Sequence, residues 1–283
     1  MIHEYLISIL TLGFIYVIVV LALNLAIGFT GLTNLGHMVF FGIGAYTSAL
    51  LTLNGIPWYA AVFIAGILAS FSGAIIAAIT SRLKGDYLAM VTLGLVFIGI
   101  AVSRNWISLT RGALGLSGIP DIITNNFYYM LFTLAVAALC VLIFHKLIDS
   151  ETGRIFQAIR DDETAAAILG KNTYFYKILS IAISTFFAGI AGSLFAHHIS
   201  FVDPTIFDLS FFVLILSMFI LGGLASIKGS ITGVFILVLL TEAVRFVSVS
   251  SAIIGAVREM VFAAVLIIIL IFKPRGIFGK VDV

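Results

Sequence analysis

Few residues in this chain carry groups that make or break bonds, and their spacing narrows the chemistry they could support. Gly115-Leu116-Ser117-Gly118 has the G-x-S-G form in which a serine acts as nucleophile, and His197 or His198 would be its base. Such a serine belongs where an apolar helix begins, yet Pro120 and Asp121 follow almost at once, so a turn built from Gly and Ser is the plainer reading. His197-His198, with Asp203 and Asp208 nearby, falls short of the three or four converging ligands that a metal needs. Lys171 follows Gly170 and Lys280 follows Gly279, but neither has a Gly five positions before that Gly or a Ser/Thr after the Lys, so neither forms a Walker-type phosphate loop. The chain is therefore expected not to be an enzyme, with no catalytic residue, metal or bound cofactor of its own.

Other polar groups lie inside apolar stretches. Asn34 and His37 sit in a run containing Gly31, Gly36, Gly42 and Gly44, where the backbone can become irregular. Irregular backbone is tolerated at membrane depth only when it lines a cavity or packs in protein. A broken helix there would turn N–H groups toward a carboxylate; the alternative is a packing seam with two satisfied side chains. A second Gly-rich segment runs from Gly222-Gly223 through Gly229 to Gly233. Interrupted apolar segments at corresponding places in two halves point to a transporter core, although glycines also let helices pack closely. Asn34, Gly36, His37, Gly42, Gly44, Gly222 and Gly223 are thus candidates for a translocation pathway. Glu242 with Arg245, and Arg258 with Glu259, read as structural ion pairs near helix ends.

The elements that must position these groups are set by composition. Of 283 residues, 62% are hydrophobic and only 10% charged, against about 25% charged in soluble domains, so the chain is an integral membrane protein surrounded by lipid. Its net charge of +2 gives no reason to expect nucleic acid, and the lone Cys140 lies within an apolar stretch. The first residues, Met1-Ile2-His3-Glu4, lack the basic start and cleavage site of a removed leader and are expected to belong to the mature chain. Apolar stretches near the length needed to cross a bilayer are Tyr5–Gly28, Gly31–Thr52, Trp58–Ile79, Tyr87–Ser103, Phe127–Ile148, Ile178–His198, Leu209–Ala225, Ile231–Val247 and Ala252–Phe272. The expectation is an all-α polytopic membrane protein of about eight to ten spans, a single transmembrane domain over residues 1–283.

One stretch cannot lie in hydrocarbon. Residues 149–177 carry Asp149, Glu151, Arg154, Arg160, Asp161, Asp162, Glu163, Lys171 and Lys177, and each charge at membrane depth costs about 2.5–3.5 kcal/mol. Ser150 or Thr152 can cap a helix there, Ile155 and Ile159 share a face, and Gly170-Lys171 is a stop. Ala165, Ala166 and Ala167 offer a small-residue surface, and Asn172 or Thr173 caps the next span. One helix from Arg154 to Gly170 is expected, either a docking knob for a soluble partner or a solvated face. With this loop in the cytoplasm, eleven of the fifteen Lys and Arg residues fall inside, as the positive-inside rule requires. The side of the N-terminus depends on whether Gly31–Thr52 spans or is re-entrant.

From Leu23-Asn24-Leu25-Ala26-Ile27-Gly28-Phe29-Thr30-Gly31 through Asn34-Leu35-Gly36-His37 to Phe41-Gly42-Ile43-Gly44-Ala45-Tyr46, the chain resembles the permease subunits of branched-chain amino acid ABC importers, the LivM type. The resemblance continues at Gly85-Asp86-Tyr87-Leu88-Ala89-Met90, Gly115-Leu116-Ser117-Gly118-Ile119-Pro120, Gly153-Arg154, Ala158-Ile159-Arg160-Asp161-Asp162-Glu163 and Gly222-Gly223. It implies a multi-pass protein of the cytoplasmic membrane that works with a second, LivH-like permease subunit, two cytoplasmic ATPases carrying ATP and Mg²⁺, and an extracytoplasmic substrate-binding protein. The polar loop would be the coupling segment, with Arg154, Arg160, Glu163, Ala165, Ala166 and Gly170 as its residues; Thr164 stands where the general pattern carries Glu. Ala225 and Lys228 depart from the small or Ser residues usual in the second Gly segment. Branched-chain amino acids are the implied cargo. Urea or short amides within the same family, and an ATP-independent carrier or channel, are the alternatives.

Overall fold

The computed structural model describes residues 2–83, 85–245, 254–273 and 275–279. Six helices among these are long and apolar enough to cross a membrane: His3–Phe29, Trp58–Thr80, Asp86–Asn105, Asn126–Asp149, Thr173–Ile199 and Pro204–Gly222. In chain order, α1 (Ile2–Asn24) continues into a π-helical turn (Leu25–Phe29), and α2 (His37–Leu53) follows an extended stretch. Next come α3 (Trp58–Thr80), α4 (Asp86–Asn105), the single turn α5 (Ile107–Thr110) and α6 (Asn126–Asp149). The polar loop forms α7 (Glu151–Asp161) and α8 (Glu163–Ile168), and α9 (Thr173–Ile199), α10 (Leu209–Gly222), α11 (Ile227–Arg245) and α12 (Ile254–Phe272) complete the bundle. Among the described residues the one strand pairing is Leu116–Ser117 antiparallel to Phe201–Val202, in an otherwise all-α fold.

Helices α1 and α9 form the centre. Their most apolar windows are 61% buried within the bundle, against 22–28% for α3, α4 and α6, which turn Phe63, Phe71, Ile79, Phe97 and Leu142 outward. Outward apolar side chains are what a hydrocarbon solvent requires. Small residues let the inner helices touch: a Cβ on Gly192 of α9 would sit 1.9 Å from the Phe41 carbonyl oxygen of α2, and one on Gly189 2.6 Å from the Ala69 Cβ of α3. Tight approach of small residues replaces hydrophobic driving force between helices in lipid.

Gly31–Thr52 is neither one long helix nor re-entrant. Residues 30–36 are non-helical, and α2 has 17 residues. Near its start Gly31 lies against Arg160 of α7; near its end the Ser48 hydroxyl bonds His197 Nε2 at 2.9 Å, at the far end of α9. Helix α1 runs the opposite way, since Ser8 bonds His198 at 3.0 Å while the Gly28 carbonyl accepts from Arg160 at 3.0 Å. Both segments therefore cross, and α1 begins on the face opposite α7 and α8. The Tyr5 hydroxyl donates to Glu242 on that opposite face. The expected Glu242–Arg245 and Arg258–Glu259 pairs rest on side chains of Arg245, Arg258 and Glu259 that lie outside the described residues.

Gly192→Val should lower the stability of the purified protein by about 1–3 kcal/mol, the usual result of overfilling a packed site, read as an earlier thermal midpoint in detergent. Gly94→Ala on α4, where an added Cβ meets nothing within 4 Å, should leave that midpoint in place.

Candidate functional site

The polar loop folds as two helices rather than the one expected from Arg154 to Gly170. Asp162 takes an extended conformation (φ −157°, ψ 102°). There its carboxylate accepts from the amides of Thr164 at 2.8 Å and Ala165 at 3.0 Å. An aspartate in that position restarts a helix because it supplies the acceptor that the first free N–H groups lack. Ser150 caps α7 through the Gly153 amide at 3.3 Å, and Asn172 caps α9 through the Phe175 amide at 3.1 Å. Ile155 and Ile159 share the buried face of α7 and meet Ala166 of α8, with Tyr176 packed against them. Ala166 thus points inward. Ala165 and Ala167 are exposed, and beside them Ile168 and Leu169 are 81% and 78% exposed. Gly170 closes the tip with φ +79°.

Two polar tethers hold this knob to the membrane part. Lys177, 4% exposed on α9, places Nζ 2.5 Å from the Glu163 carboxylate and 3.2 Å from the Ser81 carbonyl beyond α3. Glu163 also accepts from Thr173 at 3.4 Å, so its charge turns toward the bundle rather than outward. The second tether is Arg160: Nη1 donates to the Gly28 carbonyl at 3.0 Å, while Nη2 pairs with Asp161 at 2.8 Å. Arg154 donates to the Asp149 carbonyl at 3.2 Å and lines an open groove of about 350 Å³ between α7 and α8 with Ala158, Ala166 and Leu169.

The other sequence candidates fall into three places. Asn34 is buried in the extended stretch before α2; its side-chain oxygen accepts from the Gly36 amide at 3.1 Å, and the Leu35 amide donates to Thr92 of α4 at 3.1 Å. It borders a cavity of about 20 Å³ shared with Thr92 and Lys177, room for one water. Gly36 lies against the Thr92 carbonyl, 2.5 Å from where its Cβ would be. His37 opens α2, fully buried; neither ring nitrogen makes a hydrogen bond of ordinary geometry among the described residues, and the Val19 backbone of α1 lies alongside. Gly42 and Gly44 are buried in α2, Gly44 against Gly189 of α9. Gly222 and Gly229 press the end of α10 on the start of α11, and Gly223 (φ +105°) abuts Gly279 and the Arg275 carbonyl of the tail.

Ser117 and the paired histidines do not assemble a nucleophile. His197 Nε2 bonds Ser48 and Nδ1 bonds the Pro120 carbonyl at 2.8 Å, while His198 bonds Ser8 and stacks on Tyr129. The G-x-S-G loop is instead zipped to residues 201–202 beyond α9, with Leu116 opposite Val202.

A family profile described as the branched-chain amino acid transport system / permease component matches residues 5–270. The chain belongs to this permease family. Among curated relatives, the high-affinity branched-chain amino acid transport system permease protein LivM of Escherichia coli is 31% identical across 96% of this chain and 69% of its own length. A probable LivM of Methanocaldococcus jannaschii is 27% identical across 97% and 94%, and the LivH permease of Escherichia coli is 27% identical across 96% and 94%. The overall fold is similar to that of PsaBC from Streptococcus pneumoniae, solved in complex with Fab, with a TM-score of 0.50, 18% identity, and 95% and 91% coverage. As a member of this family the chain is a multi-pass permease of the cell membrane.

Two residues central to the permease's geometry were not singled out from sequence. Lys177 reads as one charge of a solvated run, because nothing local reveals that a helix end folds back over it. Asn24, a polar residue deep in an apolar stretch, was legible as unusual, but its partners lie more than 200 positions away. Glu163→Ala should destabilise the protein by about 3–5 kcal/mol, because it leaves the buried Lys177 ammonium without its counter-charge. Lys177→Met added to Glu163→Ala should restore much of the loss in a thermal melt.

Proposed function

We propose that this chain is one membrane half of an importer that carries branched-chain amino acids across the cytoplasmic membrane, driven by ATP hydrolysed on separate chains. The observation that carries the reading is the tip of α8. Ile168 and Leu169 stand bare beside Ala165 and Ala167 on the only strongly polar loop of an apolar chain, and apolar side chains grouped on a watery surface mark a contact site. A soluble ATPase with a matching groove would cover them, with Arg154 and Gly170 at the edges of the contact. Ala166, Glu163 and Arg160 act behind it, joining the tip to α7, α9 and the end of α1. ATP and Mg²⁺ belong to the two cytoplasmic ATPases.

A second, LivH-like permease subunit completes the path, and an extracytoplasmic binding protein delivers cargo to the face where α1 begins. The path is assigned to the broken segment carrying Asn34, Gly36 and His37, with Gly42, Gly44, Gly222 and Gly223 on the helices that shift around it. Transport proceeds by alternating access: closure of the ATPase pair moves α7 and α8, and the tethers pass that movement to the spans.

Leu169→Asp should weaken association with the ATPases about tenfold or more, since burial of a leucine is worth about 1.5–3 kcal/mol, and uptake into proteoliposomes should fall in parallel. Wild-type complex should take up leucine only with ATP on the ATPase side. Uptake by the chain without ATP would instead identify a carrier, and accumulation of urea or short amides in place of leucine would reassign the cargo.

A further inference from the structure

The end of α1 and the second Gly-rich segment, some 200 residues apart, meet at one side chain. Asn24 is fully buried at the end of α1. Its oxygen accepts from the Ala225 amide at 3.0 Å, and its Nδ2 donates to the Ser226 carbonyl at 3.2 Å and the Ser230 hydroxyl at 2.7 Å. Two of these bonds go to the turn between α10 and α11, and the third goes to the first turn of α11. Ala225 has φ +55° there, a conformation that costs an alanine about 1–2 kcal/mol, so the turn keeps this shape only while it is held. Four residues after Asn24, the Gly28 carbonyl accepts from Arg160 on α7 at 3.0 Å, and the Arg160 backbone and stem pack on Gly31. Gly28 has to be glycine for both contacts to coexist, because a Cβ would fall 1.9 Å from the Asn24 oxygen and 2.7 Å from the Ala225 amide.

Between these anchors the chain is the π-helical turn Leu25–Phe29. A π turn carries one residue more than an α turn and is frequent at functional sites. Passing that extra residue along the helix shifts what lies beyond by one residue, about 1.5 Å. Thr30 steadies the present state by donating to the Leu25 carbonyl at 2.9 Å.

We propose that Leu25–Phe29 is the link through which displacement of α7 reaches the α10–α11 turn, with Arg160 and Asn24 as its two positioning residues. This rests on the reading of α7 and α8 as the part moved by the ATPases. The other tether, Glu163 to Lys177, runs to α9 and α3 and lies outside the link.

Two measurements test it. The first is leucine uptake per ATP hydrolysed in proteoliposomes. Arg160→Ala and Asn24→Ala should each lower it about tenfold, the loss expected of a buried charged or multiple hydrogen bond. The double variant should be no worse than the worse single, because both cut the same link, and Arg160→Lys should recover part of the loss. Effects that multiply in the double, or a ratio that stays at the wild-type value, overturn the proposal. The second is amide hydrogen exchange over residues 224–230, which needs neither uptake nor an assembled ATPase. Arg160→Ala on α7 should raise exchange at the Ala225 amide although Arg160 makes no hydrogen bond to that turn, and unchanged exchange there overturns the link. A wild-type complex that transports without ATP would refute the functional reading on its own, while the exchange experiment would still decide whether the link exists.

Discussion

Backbone amides and carbonyls have no water to turn to in hydrocarbon, and this constraint shapes every place where the bundle departs from regular helix. Among the described residues, irregular backbone is packed into the bundle at the π turn after Asn24, the extended stretch before α2, and the turn between α10 and α11. Polar side chains, local or from another element, serve each of them. Thr30 and Arg160 serve the carbonyls of Leu25 and Gly28, Thr92 and Asn34 serve the amides of Leu35 and Gly36, and Asn24 serves Ala225. The few polar groups within the apolar chain are therefore spent mainly on its own backbone. His37 stands apart, buried beside α1 with both ring nitrogens lacking a regular hydrogen bond among the described residues.

The water-facing knob obeys the opposite rule. α7 and α8 are short, and a helix of that length is marginal in water without tertiary packing. Their stability comes from Ile155, Phe156 and Ile159 buried against the bundle and from caps at Ser150 and Asp162. The Lys177–Glu163 pair adds little net stability for its burial, since desolvating two charges offsets most of their attraction; its value lies in fixing where α8 sits relative to α9. The same division of labour appears on the opposite face. There His197 and His198 pin the G-x-S-G loop, Ser48, Ser8 and Tyr129 around the end of α9, so residues that suggested chemistry act as structural fasteners.

Much of the architecture was readable in one dimension because hydrophobic length and charge placement are local quantities. Most apolar stretches overlap the helices, as with Trp58–Ile79 against Trp58–Thr80, although Gly31–Thr52 is helical only from His37 and Ile231–Val247 and Ala252–Phe272 lie partly outside the described residues. Ser150, Asn172 and Gly170 cap or close the elements they were expected to bound. The break at Asp162 was missed because Asp161-Asp162 lies within a run whose apolar spacing suits one continuous helix, and only the backbone geometry shows which aspartate caps. Ala166 was expected on the same surface as Ala165 and Ala167. It turns inward because Ile155 and Ile159 on the neighbouring helix need a small residue to close on.

What the amino-acid order determined alone was the class of molecule: lengths, polarity and the positive-inside rule dictate an all-helical membrane protein with one polar loop in water. The tertiary structure alone decided which residues meet. Gly31–Thr52 spans because Gly31 touches α7 while Ser48 reaches the far end of α9. Asn24 joins the end of α1 to the second Gly-rich segment, and Glu163 faces a lysine of its own chain. Those pairings join positions from fourteen to about two hundred residues apart, and sequence spacing carries no information on them, because contacts between helices depend on how whole helices cross rather than on any local preference.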